Sequence, residues 1–96
     1  MTEKRIPTHP GEILRDELVE RGLSANRLAR DLGVDSGRIV EILHGRRAIT
    51  ADTAVRLAQY FGTSAEVWLN MQLKHDLAAF EHEKGEAVRR QVRQSA

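Results

Sequence analysis

LSANRLARDLGVDSGRIVEILHGRRAIT, residues 23–50, is the stretch whose reading decides the fold. Ser24 is placed to cap a helix whose apolar residues Leu28, Ala29 and Leu32 share one face. Gly33 supplies the left-handed conformation that stops it. Val34 follows as a plug, and Asp35 can accept hydrogen bonds from the open N–H groups of a second helix. That helix runs to about His44 on a stripe of Ile39, Ile42 and Leu43, with Ser36, Gly37, Arg38, Glu41 and, at the boundary, Val40 turned the other way. Gly45 ends it, and Arg46 and Arg47 then put two positive charges on a tight turn ahead of a further cap at Thr50. Two short amphipathic helices joined by a glycine turn make a helix-turn-helix layout.

In that layout the start of the second helix enters the major groove of DNA, while the first helix and the following loop hold phosphates. Arg38 is the expected base reader, because a guanidinium can donate two bonds to guanine O6 and N7. Ser36 can bond base edges, and Gly37 permits close approach without reading anything. Ser24, Asn26, Arg27, Arg46, Arg47 and Thr50 are the expected phosphate contacts. Arginines also decorate ordinary surface helices, and glycine turns occur in many all-α domains, so spacing alone leaves the plainer reading open.

Working outward, the pattern predicts an all-α domain of five helices over residues 9–83, the lambda-repressor-like arrangement with the helix-turn-helix at helices 2 and 3. Pro10 opens the first helix at a position where its missing N–H is harmless, with His9 capping or packing ahead of it. Ile13, Leu14, Leu18 and, at the edge, Val19 are expected to face the core until Gly22. A fourth helix starts at Thr50 or Ala51, buries Ala54, Leu57, Ala58 and Phe61, and stops at Gly62. Thr63 and Glu66 have the spacing of a capping box at the head of a long fifth helix. Trp68 and Leu69 on that helix are expected in the core, and Leu73, Leu77 and Phe80 in a dimer interface. Residues 1–8 and 84–96 lack apolar periodicity and are expected to fray.

The net charge is only +1 over 96 residues, but the charges are segregated. Residues 10–22 carry a net −2 and residues 24–47 a net +2; residues 64–83 carry −3 and residues 84–96 carry +3. A basic face opposed by acidic surface suits DNA on one side and a basic protein on the other, although helix surfaces also alternate in sign without function. There is no cysteine, no apolar run near the 18 or so residues of a membrane span, and no secretory signal pattern. A cytoplasmic protein without disulfides, membrane contact or small-molecule ligand is expected.

Several stretches resemble a known family: HPGEIL at 9–14, the helix-turn-helix, GRRAIT at 45–50, DTAVRLAQYFGTSAEVWLNMQ at 52–72 and DL at 76–77. Together they are similar to the HigA/VapI branch of the lambda-repressor-type (XRE) helix-turn-helix proteins, with GTSAEVWLN the more specific part. The resemblance implies an antitoxin that represses its own operon as a homodimer on operator DNA and neutralises a HigB/RelE-type ribonuclease toxin. It matches Ser36, Gly37 and Arg38 to the start of the recognition helix and Arg46 and Arg47 to the basic loop. Asp35 and Gly37 depart from the usual pattern, which has Ser or Thr at the cap. Neutralisation is expected to use folded surface, with the acidic first helix as the site. A stand-alone repressor without a toxin is the rival binding function.

Catalysis finds little support. No HExxH, Ser-His-Asp set, P-loop or GxGxxG is present, and no cofactor is implied. His75 and His82, seven residues apart beside Asp76 and Glu83, could be drawn as a metal site, but two turns separate them and solvated surface is the simpler account.

Overall fold

The computed structural model describes residues 6–95, and its helices follow the glycine punctuation of the sequence. α1 spans Pro10–Arg21, α2 Ala25–Leu32, α3 Ser36–Leu43, α4 Ala51–Phe61 and α5 Ala65–Phe80. A π-helical turn, Glu81–Gly85, then leads into a short α6, Glu86–Gln91. The described residues contain no strand.

Each helix start has a local cause. His9 takes an extended backbone conformation, and its ring Nδ1 accepts the Gly11 N–H at 2.9 Å, with Pro10 in the first turn where no N–H is missed. Gly11 is required for a second reason: a Cβ there would overlap the Ile42 carbonyl oxygen. The start of α1 therefore presses directly on the end of α3. At the other terminus of α2, Gly33 adopts φ 73°, its N–H bonds back to the Arg30 carbonyl and the Val34 N–H reaches the Ala29 carbonyl. The same bonding pattern recurs at Gly45, where the Arg46 N–H reaches the Glu41 carbonyl at 2.9 Å.

The core joins all five main helices through Leu14, Leu18, Leu28, Ala29, Leu32, Ile39, Ile42, Ile49, Ala54, Leu57 and Trp68. Burying a side chain of this size contributes roughly 1.5–3 kcal/mol, so the helix-turn-helix is fixed by packing on its inner stripe. Two core expectations fail at α1. Ile13 is 38% exposed and Val19 is 77% exposed, because Pro10, Gly11, Leu14 and Leu18 carry the inward face of this helix. In α4 the buried residues are Thr53, Ala54 and Leu57, with Ala58 and Phe61 half-buried at the rim.

Helix α5 begins one residue later than the capping-box spacing indicated. Ser64 is the cap, accepting the Val67 N–H through Oγ at 3.2 Å, and the Thr63 hydroxyl accepts the Trp68 indole N–H at 3.0 Å instead. Its far end also departs from expectation: helical structure continues past residue 83 to Gln91, with Arg89 reaching back to Glu81 across the buried Gly85. Residues 6–8 are exposed and outside any helix, while residues 1–5 of the expected N-terminal arm lie outside the described residues. The radius of gyration is 16.1 Å. A compact chain of this length would come near 13 Å, so the α5–α6 arm projects from the bundle.

Candidate nucleic-acid interface

The recognition unit is held by side chains at both ends of its helices. Ser24 Oγ accepts the Arg27 N–H at 3.1 Å, and the Asp35 carboxylate accepts the Gly37 N–H at 3.0 Å. A Cβ at residue 37 would stand 2.8 Å from that carboxylate oxygen, so the glycine leaves room for the cap. The open carbonyls at the other ends are met by arginines from neighbouring helices. Arg56 Nη1 donates to the Leu32 carbonyl at 2.8 Å and Arg15 Nη2 to the Leu43 carbonyl at 2.9 Å. Tyr60 donates its hydroxyl to Asp31 at 3.1 Å, and burial followed by this bond raises the Tyr60 pKa.

Beyond its buried stripe, α3 exposes Ser36 and Gly37, with His44 just after its end; Val40 and Glu41 are half-buried beside them. Arg38 lies on the flank facing α4 rather than at the centre of that surface. Its Nη1 donates to Asp52 Oδ2 at 2.6 Å and to Thr53 Oγ1 at 3.4 Å, and the side chain is 27% exposed. Asp52 also accepts from Arg56 Nε at 3.0 Å. The bonds from Arg38 and then Arg56 hold the Asp52 carboxyl below the usual carboxylate range. Both Nη1 hydrogens of Arg38 are thus engaged, whereas the Nε–Nη2 edge, the fork that matches guanine O6 and N7, has no partner within the described residues.

The other nominated arginines divide in the same way. Arg27 Nε shares Asp31 at 3.3 Å on its own helix, and Arg46 Nε donates to Glu41 at 2.6 Å. Arg47 forms no ion pair or hydrogen bond with any described residue. Arg46 holds the Glu41 carboxyl below its ordinary pKa, first through that hydrogen bond. Asn26 and Thr50 are exposed, and the Thr50 hydroxyl makes no capping bond although its backbone sits at the cap. The Ser24 hydroxyl accepts its cap bond and keeps its proton for an outside acceptor.

A residue outside the motif sets the basic loop. Gln72 on α5 is buried, and its Oε1 accepts the Ile49 N–H at 2.8 Å while its Nε2 donates to Asp76 at 2.9 Å. The loop that carries Arg46 and Arg47 is therefore anchored on the fifth helix. A polar residue four positions after the buried Trp68, on the same inward face, was the available signal for it.

Farther along α5, Leu73, Leu77 and Phe80 are 62%, 58% and 46% exposed on one stripe of the projecting arm. Of these, Leu77 lines a surface groove of 690 Å³ whose walls include Ile6, Pro7 and Arg89. His75 is committed to the fold rather than to His82: its Nδ1 pairs with the Pro7 carbonyl at 2.7 Å and its ring stands edge-on to His9 at 5.0 Å.

Residues 14–68 match the Helix-turn-helix family. Among solved structures, an addiction module antidote protein of the HigA family from Coxiella burnetii superposes with a TM-score of 0.86 at 43% identity, covering 95% of this chain and 100% of that one. The chain belongs to the HigA branch of the helix-turn-helix family. Virulence-associated protein I of Dichelobacter nodosus is 54% identical to it over 77 residues, 79% of this chain and 71% of the relative. The HigA antitoxin of Pseudomonas aeruginosa, determined with the higBA promoter, is 41% identical with a TM-score of 0.86, covering 94% of this chain and 99% of that one. The HigA likeness thus runs well beyond the shared motif, through the capped start of α1 and the long α5. HigA proteins are non-enzymatic DNA-binding proteins, which disposes of the catalytic alternative. No helix among the described residues is long and apolar enough to cross a membrane.

Proposed function

We propose that this chain is a cytoplasmic HigA-type antitoxin that binds operator DNA as a homodimer, represses its own operon and neutralises a HigB/RelE-type ribonuclease toxin. The observation that carries the reading is the Gln72–Ile49 bond, which ties the basic loop to the family-specific fifth helix and so couples a DNA-reading surface to the HigA framework.

On DNA, Ser36 and Arg38 contact base edges, Gly37 allows the helix to come close, and Ser24, Asn26, Arg27, Arg46, Arg47 and Thr50 hold phosphates. Leu73, Leu77 and Phe80 of two copies meet, setting two recognition helices about 34 Å apart on an inverted repeat. The separate acidic surface of α1, where Glu12, Asp16 and Glu20 form no ion pair with another described residue, complements a basic toxin. No small-molecule ligand takes part.

Co-expression of the chain with the product of the small gene beside its own tests the antitoxin reading. A stoichiometric basic partner that co-purifies, and whose toxicity the chain abolishes, is the expected result. Operator binding with no such partner would make the protein a stand-alone repressor.

A further inference from the structure

The outward surface of α3 carries one side chain that phosphate binding does not explain. Glu41 lies four residues after Gly37, where no side chain stands in front of it, and is half-exposed on the same surface. Its carboxylate accepts Arg46 Nε at 2.6 Å through Oε2 and the Arg46 Nη2 more weakly, at 3.4 Å, through Oε1. Arg46 holds this carboxyl ionised across the neutral range. An ionised carboxylate on a DNA-facing helix is repelled by phosphate, so it adds nothing to sequence-independent affinity. A carboxylate accepts and cannot donate, which excludes guanine O6 and N7 and thymine O4 as partners. Among base edges it is matched by an exocyclic amine, and cytosine N4 is the amine whose own base presents no acceptor beside it, whereas adenine N6 stands next to N7.

We propose that Glu41 is a specificity-determining residue of this chain, accepting a hydrogen bond from cytosine N4 in each operator half-site. The proposal rests on the operator-binding reading above and adds a base to it. Each carboxylate oxygen has two lone pairs, so Glu41 keeps Arg46 while meeting the base. Arg46 in turn offsets the charge that the phosphates oppose. The pair therefore rejects non-cognate DNA and admits a C·G pair at one position.

The full-length protein and its E41Q, E41A and R46A variants would each be used to select from a pool of random 24-base-pair duplexes, with affinities then measured on single-base-pair variants of the selected sequence. The wild type is expected to favour C·G at one position per half-site by on the order of tenfold. E41A should lose that preference. E41Q should move it toward A·T, since an amide pairs with both N6 and N7 of adenine. R46A should bind all duplexes more weakly yet keep the cytosine preference. Identical preferences in wild type, E41Q and E41A would overturn the proposal, as would loss of the preference in R46A, which would make Glu41 only a support for the loop. Selection of no sequence by the wild type would instead overturn the operator-binding reading.

Discussion

Gln72 Oε1 on α5 accepts the backbone N–H of Ile49 at 2.8 Å, inside the protein, with Ile49 itself only 2% exposed. One amide thereby joins the fifth helix to the loop that bears Arg46 and Arg47. Replacing Gln72 by leucine keeps the volume but leaves that N–H without a partner, at a cost of about 1–3 kcal/mol. Urea unfolding should show the loss, and operator affinity should fall with it because the loop is no longer anchored. A variant with unchanged stability and affinity would mean that water replaces the amide.

Gly11→Ala tests the contact between α1 and α3. A methyl group there overlaps the Ile42 carbonyl oxygen, so one of the two helices must move. Destabilisation of about 1–3 kcal/mol is expected, seen as a lowered thermal midpoint, whereas the same change at an exposed helical glycine would stabilise.

Arg38→Ala and Arg47→Ala should fail in different ways. Loss of Arg38 is expected to weaken specific binding by about 1–3 kcal/mol and relax preference at one base pair. Loss of Arg47, which has no partner among the described residues, should weaken binding to all sequences and reduce the salt slope by about one. Titrations at two salt concentrations separate the two effects.

Leu77→Asp places a charge in the middle of the exposed stripe on the arm. Sedimentation should then report a monomer with its helical content retained, and affinity for an inverted repeat should drop toward that of a half-site. Retention of the dimer would remove Leu73, Leu77 and Phe80 from the interface.

The His9 cap gives stability a dependence on pH. Burial, and then the neighbouring His75, lowers the His9 pKa, with Asp76 and Glu12 opposing. A lowered histidine pKa means that folding favours the neutral ring, whose Nδ1 accepts the Gly11 N–H. This contribution is fully present above the ordinary value of about 6.5 and is lost as pH falls through the lower folded value. His9→Asn, which caps without titrating in this range, should flatten that part of the stability profile.

The fold was legible because its signals are local. Gly33 and Gly45 mark helix ends by backbone conformation, Ser24 and Asp35 mark starts, and Leu28, Ile39 and Ile42 mark an inner stripe, each close in sequence to the helix it defines. The site was only partly legible. Arg38 could be nominated from its place in the second helix, but the α4 carboxylate that holds it, Asp52, lies fourteen residues away. Gln72 and Ile49 are twenty-three residues apart, so the spacing from Trp68 turns Gln72 inward but does not name its partner. The need for glycine at residue 11 is not written locally either, because the Ile42 carbonyl that a Cβ would meet belongs to another helix. Ile13 lies outside the core, against expectation, because Pro10, Gly11, Leu14 and Leu18 already fill the share of it that α1 supplies. The continuation of helix beyond residue 83 was invisible for the opposite reason: the tail is held by charge pairs such as Glu81–Arg89 and Glu86–Arg90, not by an apolar stripe.

The most direct test of the account is a titration of the protein against duplex DNA from upstream of its own operon, followed by fluorescence anisotropy, beside a shuffled duplex of the same composition. Two chains per inverted repeat, binding at least a thousandfold tighter than to the shuffled duplex and weakening steeply with salt, is the predicted result. Equal affinity for both duplexes would contradict it.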